Sequence, residues 1–276
     1  MNFLKTGVLF SASMLIFSIA QAHYPYVAPL SYQTFNNHTA ILSGFYDNPF
    51  VSEVAIKNFK FHYHNPLGEK IEIAEEQWSK TQTLSSLSLE NKIDGTYRIR
   101  GVKQGSTTKF AFDMGVWKTL IGGQLSSGKP VSEKAVYVSQ LNENSQIKEM
   151  QTIVIIETFL SRNNVNNKVI HHVHDGFDIQ FLSHPNALKA NKSIHLKMLD
   201  QHKGIADLDV EILAQTTNFS RDTKAYQRLK TDAQGNLNFK IKDKGQYLLK
   251  VDYQQPFESQ EKSLKRYKYT LSFNVI

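Results

Sequence analysis

Apolar and polar residues alternate with a period of two along most of this chain, the pattern of β-strands with one buried face. In the segment 59–64, aromatic residues alternate with Lys60, His62 and His64, which would share the opposite face of a strand. The segment 152–159 is instead an almost continuous apolar run and predicts a fully buried strand. Turn residues separate such runs, so the first half of the chain is predicted to be all β.

The second half repeats the pattern with shorter runs. Strands are predicted over four segments, 177–182, 193–199, 208–215 and 267–275. A dense turn signal at 231–236 leads into a further apolar alternation. Short strands at this spacing are typical of an immunoglobulin-like sandwich.

The most polar connector in the chain divides these two halves. It covers 161–167 and reads Ser-Arg-Asn-Asn-Val-Asn-Asn. We therefore expect an all-β protein with two immunoglobulin-like β-sandwich domains in tandem. The predicted domains are 23–160 and 176–276, with a His-rich linker over 161–175.

The first 22 residues have the features of a secretory signal. Lys5 gives a positive start, 7–19 is mostly apolar, and Ala20-Gln21-Ala22 forms a small-x-small cleavage site. The apolar run falls short of the roughly 20 residues that span a bilayer. The sequence thus predicts cleavage after Ala22, a periplasmic protein, and no transmembrane segment in the mature chain.

Composition excludes several kinds of chemistry. The chain has no cysteine, so thiolate nucleophiles, iron–sulfur clusters and thiol zinc sites are ruled out. Its formal charge of +7 is spread along the chain, which favours anionic envelope surfaces over nucleic acid as partners. No Gly-x-Ser-x-Gly elbow is present. We expect a binding protein rather than an enzyme.

Two segments resemble a known family. The predicted mature start, 23–29, reads HYPYVAP, and the C-terminal segment 231–239 reads TDAQGNLNF, followed by GQYLL at 245–249. Both are similar to the periplasmic domain-of-unknown-function family 4198, which is related to the periplasmic component of nickel and cobalt uptake systems. The resemblance implies two β-sandwich units, a histidine directly after the signal, and a membrane metal-uptake component as partner.

His23 is the first candidate metal ligand, because cleavage after Ala22 makes it the mature terminus. A terminal histidine offers its α-amine and its imidazole as a chelating pair, a nitrogen set that suits Cu(II) or Ni(II). Pro25 excludes the other amino-terminal copper and nickel motif, which needs an amide N–H at that position. The alternative is that cleavage leaves a histidine there without a metal role.

The densest candidate is the segment 171–175, which contains His171, His172, His174 and Asp175. In an extended backbone His172 and His174 share a face, about 6.5 to 7 Å apart at Cα, close enough for two imidazoles to meet one ion. The alternative is a polar interdomain linker, since a His-rich tract points to metal by composition only.

His62 and His64 form a third candidate pair on the polar face of their strand. They either hold a metal or supply imidazoles to His23. The alternative is a solvated strand face.

The leading hypothesis is a periplasmic accessory protein that binds nickel, cobalt or copper for a membrane uptake system. Binding to neutral imidazoles should weaken below the ordinary histidine pKa of about 6.5. The second hypothesis is a non-metal envelope module that binds a protein or glycan through strand edges or loops. A third is oxidative polysaccharide cleavage at a copper site, which would need a flat aromatic surface.

Overall fold

The computed structural model describes residues 24–123, 133–215 and 225–276. These residues contain no α-helix, only two single-turn 3-10 segments at Glu75–Gln77 and Val138–Gln140. The prediction of an all-β protein is confirmed. The predicted signal and His23 lie outside the described residues.

The strands are, in chain order, β1 (Tyr24–Pro29), β2 (Gln33–Thr34), β3 (His38–Tyr46), β4 (Ser52–Val54), β5 (Lys60–His64), β6 (Lys70–Ile73), β7 (Ser79–Lys80), β8 (Ser85–Glu90), β9 (Gly95–Asp113), β10 (Val116–Ile121), β11 (Ala135–Tyr137), β12 (Ile147–Arg162), β13 (Phe177–Phe181), β14 (Ser193–Asp200), β15 (Lys203–Gly204), β16 (Asp209–Ala214), β17 (Gln227–Lys230), β18 (Asn236–Lys240), β19 (Gly245–Gln254) and β20 (Ser263–Val275).

The described strands form three sheets. The largest has 11 strands in the order β11-β10-β9-β12-β20-β19-β16-β17, with β2 on β12 and the β5–β6 pair on β9. A 5-stranded sheet has the order β1-β3-β8-β7, with β4 on β3. A 4-stranded sheet has the order β13-β14-β15, with β18 on β14. Strands from both predicted domains, 23–160 and 176–276, therefore meet in one sheet.

Strand β12 lies at the centre of the large sheet, between β9 and β20. It pairs antiparallel with β9 and parallel with β20. Ile156 and Leu160 point into one apolar core, shared with the 5-stranded sheet. Ile155 and Phe159 point into the other, shared with the 4-stranded sheet. The apolar run in the sequence exists because this strand is buried on both faces.

The described residues include no helix with the length and apolar character that crossing a membrane requires.

Candidate metal centre

His62 and His64 lie on the face of the large sheet that points away from Phe61. Their strand pairs with β9 so that His62 is opposite Arg100 and His64 is opposite Arg98. Paired residues of neighbouring strands share a face, so these histidines lie beside two arginines. They are 8 % and 5 % exposed, which is incompatible with a solvated strand face.

The segment between β12 and β13 covers these two histidines. It brings the His172 ring to 4.6 Å from the His64 ring and the His174 ring to 5.6 Å from it, measured between centroids. The His174 ring also lies 5.9 Å from the His62 ring. We call His62, His64, His172 and His174 the histidine cluster. Two candidate groups that are distant in the sequence thus converge.

Three nitrogens of the cluster are buried and have no hydrogen-bond partner among the described residues. They are His62 Nε2, His64 Nδ1 and His174 Nε2. One ligand nitrogen from each of these residues lies within 4.8 Å of those of the other two. Small side-chain rotations would bring such a set to the roughly 2.0–2.1 Å bonds that imidazole makes to a zinc-sized ion.

Asp178 orients His174. Its Oδ2 accepts hydrogen bonds from the His174 backbone N–H, at 2.7 Å, and from His174 Nδ1, at 2.9 Å. An ionised carboxylate only accepts, so the proton of the neutral imidazole is on Nδ1 and the lone pair is on Nε2. Metal-ligating histidines are usually held by a carboxylate in this way.

A buried ionic cluster supports Asp178, and its members are Arg98, Arg100, Glu157 and Asp178 itself. Arg98 donates to Glu157 Oε1 at 2.8 Å and to Asp178 Oδ1 at 2.7 Å. Arg100 donates to the same two oxygens at 3.0 and 2.9 Å. The side chains of Arg98, Glu157 and Asp178 have no exposed surface. Two cations and two anions balance, so the ionic cluster is formally neutral.

Arg98 also fixes the covering segment. Its Nη1 donates to the His172 carbonyl oxygen at 2.6 Å. Burial alone would raise the pKa of Glu157, but Arg98 and Arg100 lower it to about 2. The same arginines hold the pKa of Asp178 well below its ordinary value against the effect of burial. Both carboxylates are therefore ionised and hydrogen-bonded to the arginines. The Tyr269 hydroxyl also donates a hydrogen bond to Glu157.

The histidines of the cluster favour the neutral form. Burial, followed by the charge of Lys70, lowers the pKa of His62 to about 3. Burial, followed by the neighbouring imidazole of His172, lowers the pKa of His64 to about 4. Burial also lowers the pKa values of His172 and His174. A neutral imidazole is the form that binds a metal.

The remaining candidates lie outside this cluster. His171 is exposed. Asp175 is exposed as well, and its Oδ1 lies 3.3 Å from His202 Nε2. His23 lies outside the described residues.

Sequence reasoning did not identify Arg98, Arg100, Glu157 or Asp178. Two signals for them were present. In the segment 97–100 arginine alternates with Tyr97 and Ile99, and Glu157 interrupts the apolar run of β12. A charge inside a strand that is buried on both faces requires an opposite charge nearby.

A family model described as "Domain of unknown function (DUF4198)" matches residues 20–255. No curated protein matches the chain.

Several solved structures show remote similarity. A marsupial T cell receptor is 9 % identical, with 90 % of this chain and 73 % of that chain covered, at a TM-score of 0.20. The Clostridium thermocellum CbhA fibronectin(III)-like modules are 10 % identical, with 90 % and 94 % covered, at a TM-score of 0.19. The Bacillus anthracis TIE protein is 11 % identical, with 93 % and 41 % covered, at a TM-score of 0.15. TM-scores this low do not establish a common fold.

Proposed function

Since the chain belongs to the DUF4198 family, whose description gives no activity, we propose from its own residues that it is a periplasmic protein that binds a divalent transition metal. The metal is nickel, cobalt or copper, and the ligands are His62, His64 and His174. We further propose that the protein presents this metal to a membrane uptake component and is not an enzyme.

The observation that carries the proposal is the set of three buried nitrogens without hydrogen-bond partners. A buried polar atom left unsatisfied costs on the order of 1–3 kcal/mol. Such atoms destabilise an empty core, whereas an ion bound by His62, His64 and His174, whose ligand atoms lie within 4.8 Å of one another, would satisfy them.

The kind of donor supports a transition metal. Imidazole nitrogens suit copper, nickel and zinc, whereas calcium and magnesium prefer oxygen ligands. The two carboxylates beside His174, Glu157 and Asp178, already accept hydrogen bonds from both arginines. They support the site and are poorly placed to act as a general base, which favours metal binding over catalysis.

The lowered pKa values change the expected pH range of binding. Protons compete with a metal for His62 and His64 only near pH 3 to 4. Binding should therefore persist well below pH 6.5, where ordinary histidines would already be protonated.

We also propose that the fold consists of two sandwich units, 23–160 and 176–276, that share the pair of strands β9 and β12. The two separate apolar cores on either face of β12 support this arrangement. The histidine cluster then lies where the chain passes from one unit to the other.

The test is a metal titration of the protein that begins at His23, using Ni(II), Co(II) and Cu(II) with Zn(II) for comparison. We expect one equivalent to bind tightly, and His174→Ala to abolish this binding. His38→Ala, at an exposed histidine paired with Glu90, is the matched control and should bind normally. Failure to bind, or tight binding by His174→Ala, would disprove the proposed centre.

A separate arm tests His23. The Tyr24 ring lies 4.1 Å from Lys250 Nζ, on one face of the large sheet. Tyr269, which contacts the ionic cluster, points to the other face. The centre that we propose thus needs no terminal amine, and one extra residue ahead of His23 should leave the affinity unchanged. Loss of binding in this variant would move the site to the amino terminus. Mass spectrometry of the exported protein tests cleavage after Ala22.

A non-metal interaction module remains the second candidate, and one surface favours it. At the turn between β9 and β10, Met114 is 90 % exposed. Nearby, the rings of Trp117 and Phe257 stack at 5.1 Å. If no metal binds, this aromatic surface becomes the best candidate for contact with an envelope protein or glycan.

A further inference from the structure

A cleft of about 540 Å³ opens directly beside the histidine cluster. Its lining includes buried His64 and four exposed residues, Asn167, Lys168, His171 and His172. His64 therefore belongs both to the cleft and to the set of three histidines with unpartnered nitrogens. The cleft thus adjoins the proposed centre at His64.

The polar lining of this cleft has one sign of charge. No acidic residue lines it among the described residues. Lys168 is exposed, and within the described part of the chain no carboxylate forms an ion pair with it. A Cβ built on Gly68 would lie 3.1 Å from Lys168 Cε, so the stem of this lysine rests against the glycine backbone. The ammonium group is thus a cation that lines the cleft and has no ion-pair partner among the described residues.

A bound metal would add an uncompensated charge next to this lysine. The imidazoles of the histidine cluster are neutral ligands, and the two arginines balance Glu157 and Asp178. A divalent ion would leave a net charge of +2 in a largely buried site. Such a charge is costly without an anion nearby. The cleft is where an anion can reach it.

We propose that this cleft binds a small carboxylate anion together with the metal. The carboxylate occupies the side of the metal that faces His64 and His172, and Lys168 holds it by a charge-assisted hydrogen bond. This inference rests on the proposed function. It specifies that the protein carries a metal together with a small organic acid, and not a bare ion.

The experiment uses the protein loaded with Co(II), whose visible spectrum reports a change in its ligands. Acetate is the carboxylate probe, azide is a second small anion, and free imidazole is a neutral ligand. The variant Lys168→Gln removes the cation. Lys189→Gln removes the same charge from an exposed lysine that does not line the cleft.

We expect acetate and azide to alter the Co(II) spectrum of the wild type and of Lys189→Gln with the same affinity. Lys168→Gln should weaken the binding of both anions roughly tenfold, the effect of losing one charge-assisted hydrogen bond. The affinity for imidazole should not change. An unchanged anion affinity in Lys168→Gln, or a wild-type spectrum insensitive to anions, would overturn this inference and leave the metal site intact. Failure of Co(II) itself to bind would overturn both proposals.

Discussion

At residues 98–100 of β9 and 156–157 of β12, the two faces of the paired strands share one backbone but differ in chemistry. On one face, Ile99 and Ile156 are fully buried in an apolar core. On the other, Arg98, Arg100 and Glu157 are equally buried, yet they form an ionic cluster behind four histidines. Burial is nearly the same on both faces, so burial alone does not explain what each face does.

The comparison distinguishes side chains that stabilise the fold from side chains that position the histidines. An apolar side chain gains free energy simply by leaving water. A buried ion pair often contributes little net stability, because desolvation offsets the attraction between the charges. The ionic cluster instead orients groups of the histidine cluster. Arg98 fixes the backbone at His172, and Asp178 fixes the tautomer of His174. The apolar residues stabilise the fold on both faces, and the charged residues at 98, 100 and 157 hold the histidines in place.

The largest effect is expected from breaking the ionic cluster. Glu157→Gln leaves Arg98 and Arg100 with a single carboxylate in a fully buried site. We expect the free energy of unfolding to fall by about 3–5 kcal/mol, as for other buried pairs that lose one partner. Urea unfolding measures this change.

The matched control for Glu157→Gln is Ile156→Val, one residue away on the apolar face. It should cost only about 0.5–1.5 kcal/mol. Equal losses in the two variants would show that the two faces do not differ in the way described.

The next effect concerns a histidine that is replaced by an apolar residue. In His62→Leu we expect the metal affinity to fall more than about 100-fold, since even the loss of a supporting partner costs 10–100-fold. Without metal, the same variant should be more stable by about 1 kcal/mol, because an unsatisfied buried nitrogen is removed. Titration and urea unfolding test the two parts separately. If the metal-free variant were less stable than the wild type, the buried His62 nitrogen would not be a destabilising group, which would contradict this prediction.

The next effect, counted per pH unit, is expected from pH in the metal-free protein. The folded pKa values of His62 and His64, about 3 and about 4, lie below the ordinary value of 6.5. Between these limits the unfolded chain binds more protons than the folded one, so stability is complete above pH 6.5 and is lost as pH falls towards 4. The expected loss is on the order of 1 kcal/mol per pH unit for each histidine.

Urea unfolding between pH 7 and pH 4.5, with a chelator present, measures this dependence. His62→Leu should remove about one histidine's share of the slope. A slope that does not change in this variant would show that His62 is protonated equally in the folded and unfolded states.

The smallest effect is expected at His171, which lines the cleft but lies outside the set of three ligands. His171→Ala should change metal affinity by less than about twofold and leave stability within about 0.5 kcal/mol. Isothermal titration calorimetry is the measurement. A large loss of affinity would place His171 among the ligands and enlarge the site.

Much of the fold was accessible from the sequence because alternation is a local property. The predicted strands at 193–199 and 267–275 match β14 and most of β20. The apolar run at 152–159 lies within β12, although that strand is longer than the run. Sheet order was not accessible, because pairing between strands far apart in the chain leaves no local pattern. The joining of both predicted domains in one sheet depends on such pairing.

The same limit applies to the histidine cluster. Composition and spacing identified His62, His64, His172 and His174, but their convergence depends on the pairing of β5 with β9 and on the path of the segment before β13. The sequence points to exposed Asp175 and not to buried Asp178, because it shows adjacency to histidine and not hydrogen bonding. Those four histidines were predictable individually, whereas their carboxylate partner was not.

Strand β20 contributes a contact to the ionic cluster from far along the sequence. Its Tyr269 donates to Glu157, a residue 112 positions earlier in the chain. Contacts at this separation form slowly, since a long loop must close before they contribute. The chain is made from its amino end, so Glu157 cannot gain its contact with Tyr269 until β20 has been synthesised. We therefore expect the surroundings of the histidine cluster to become fixed late in folding, after β20 has joined β12 in the large sheet.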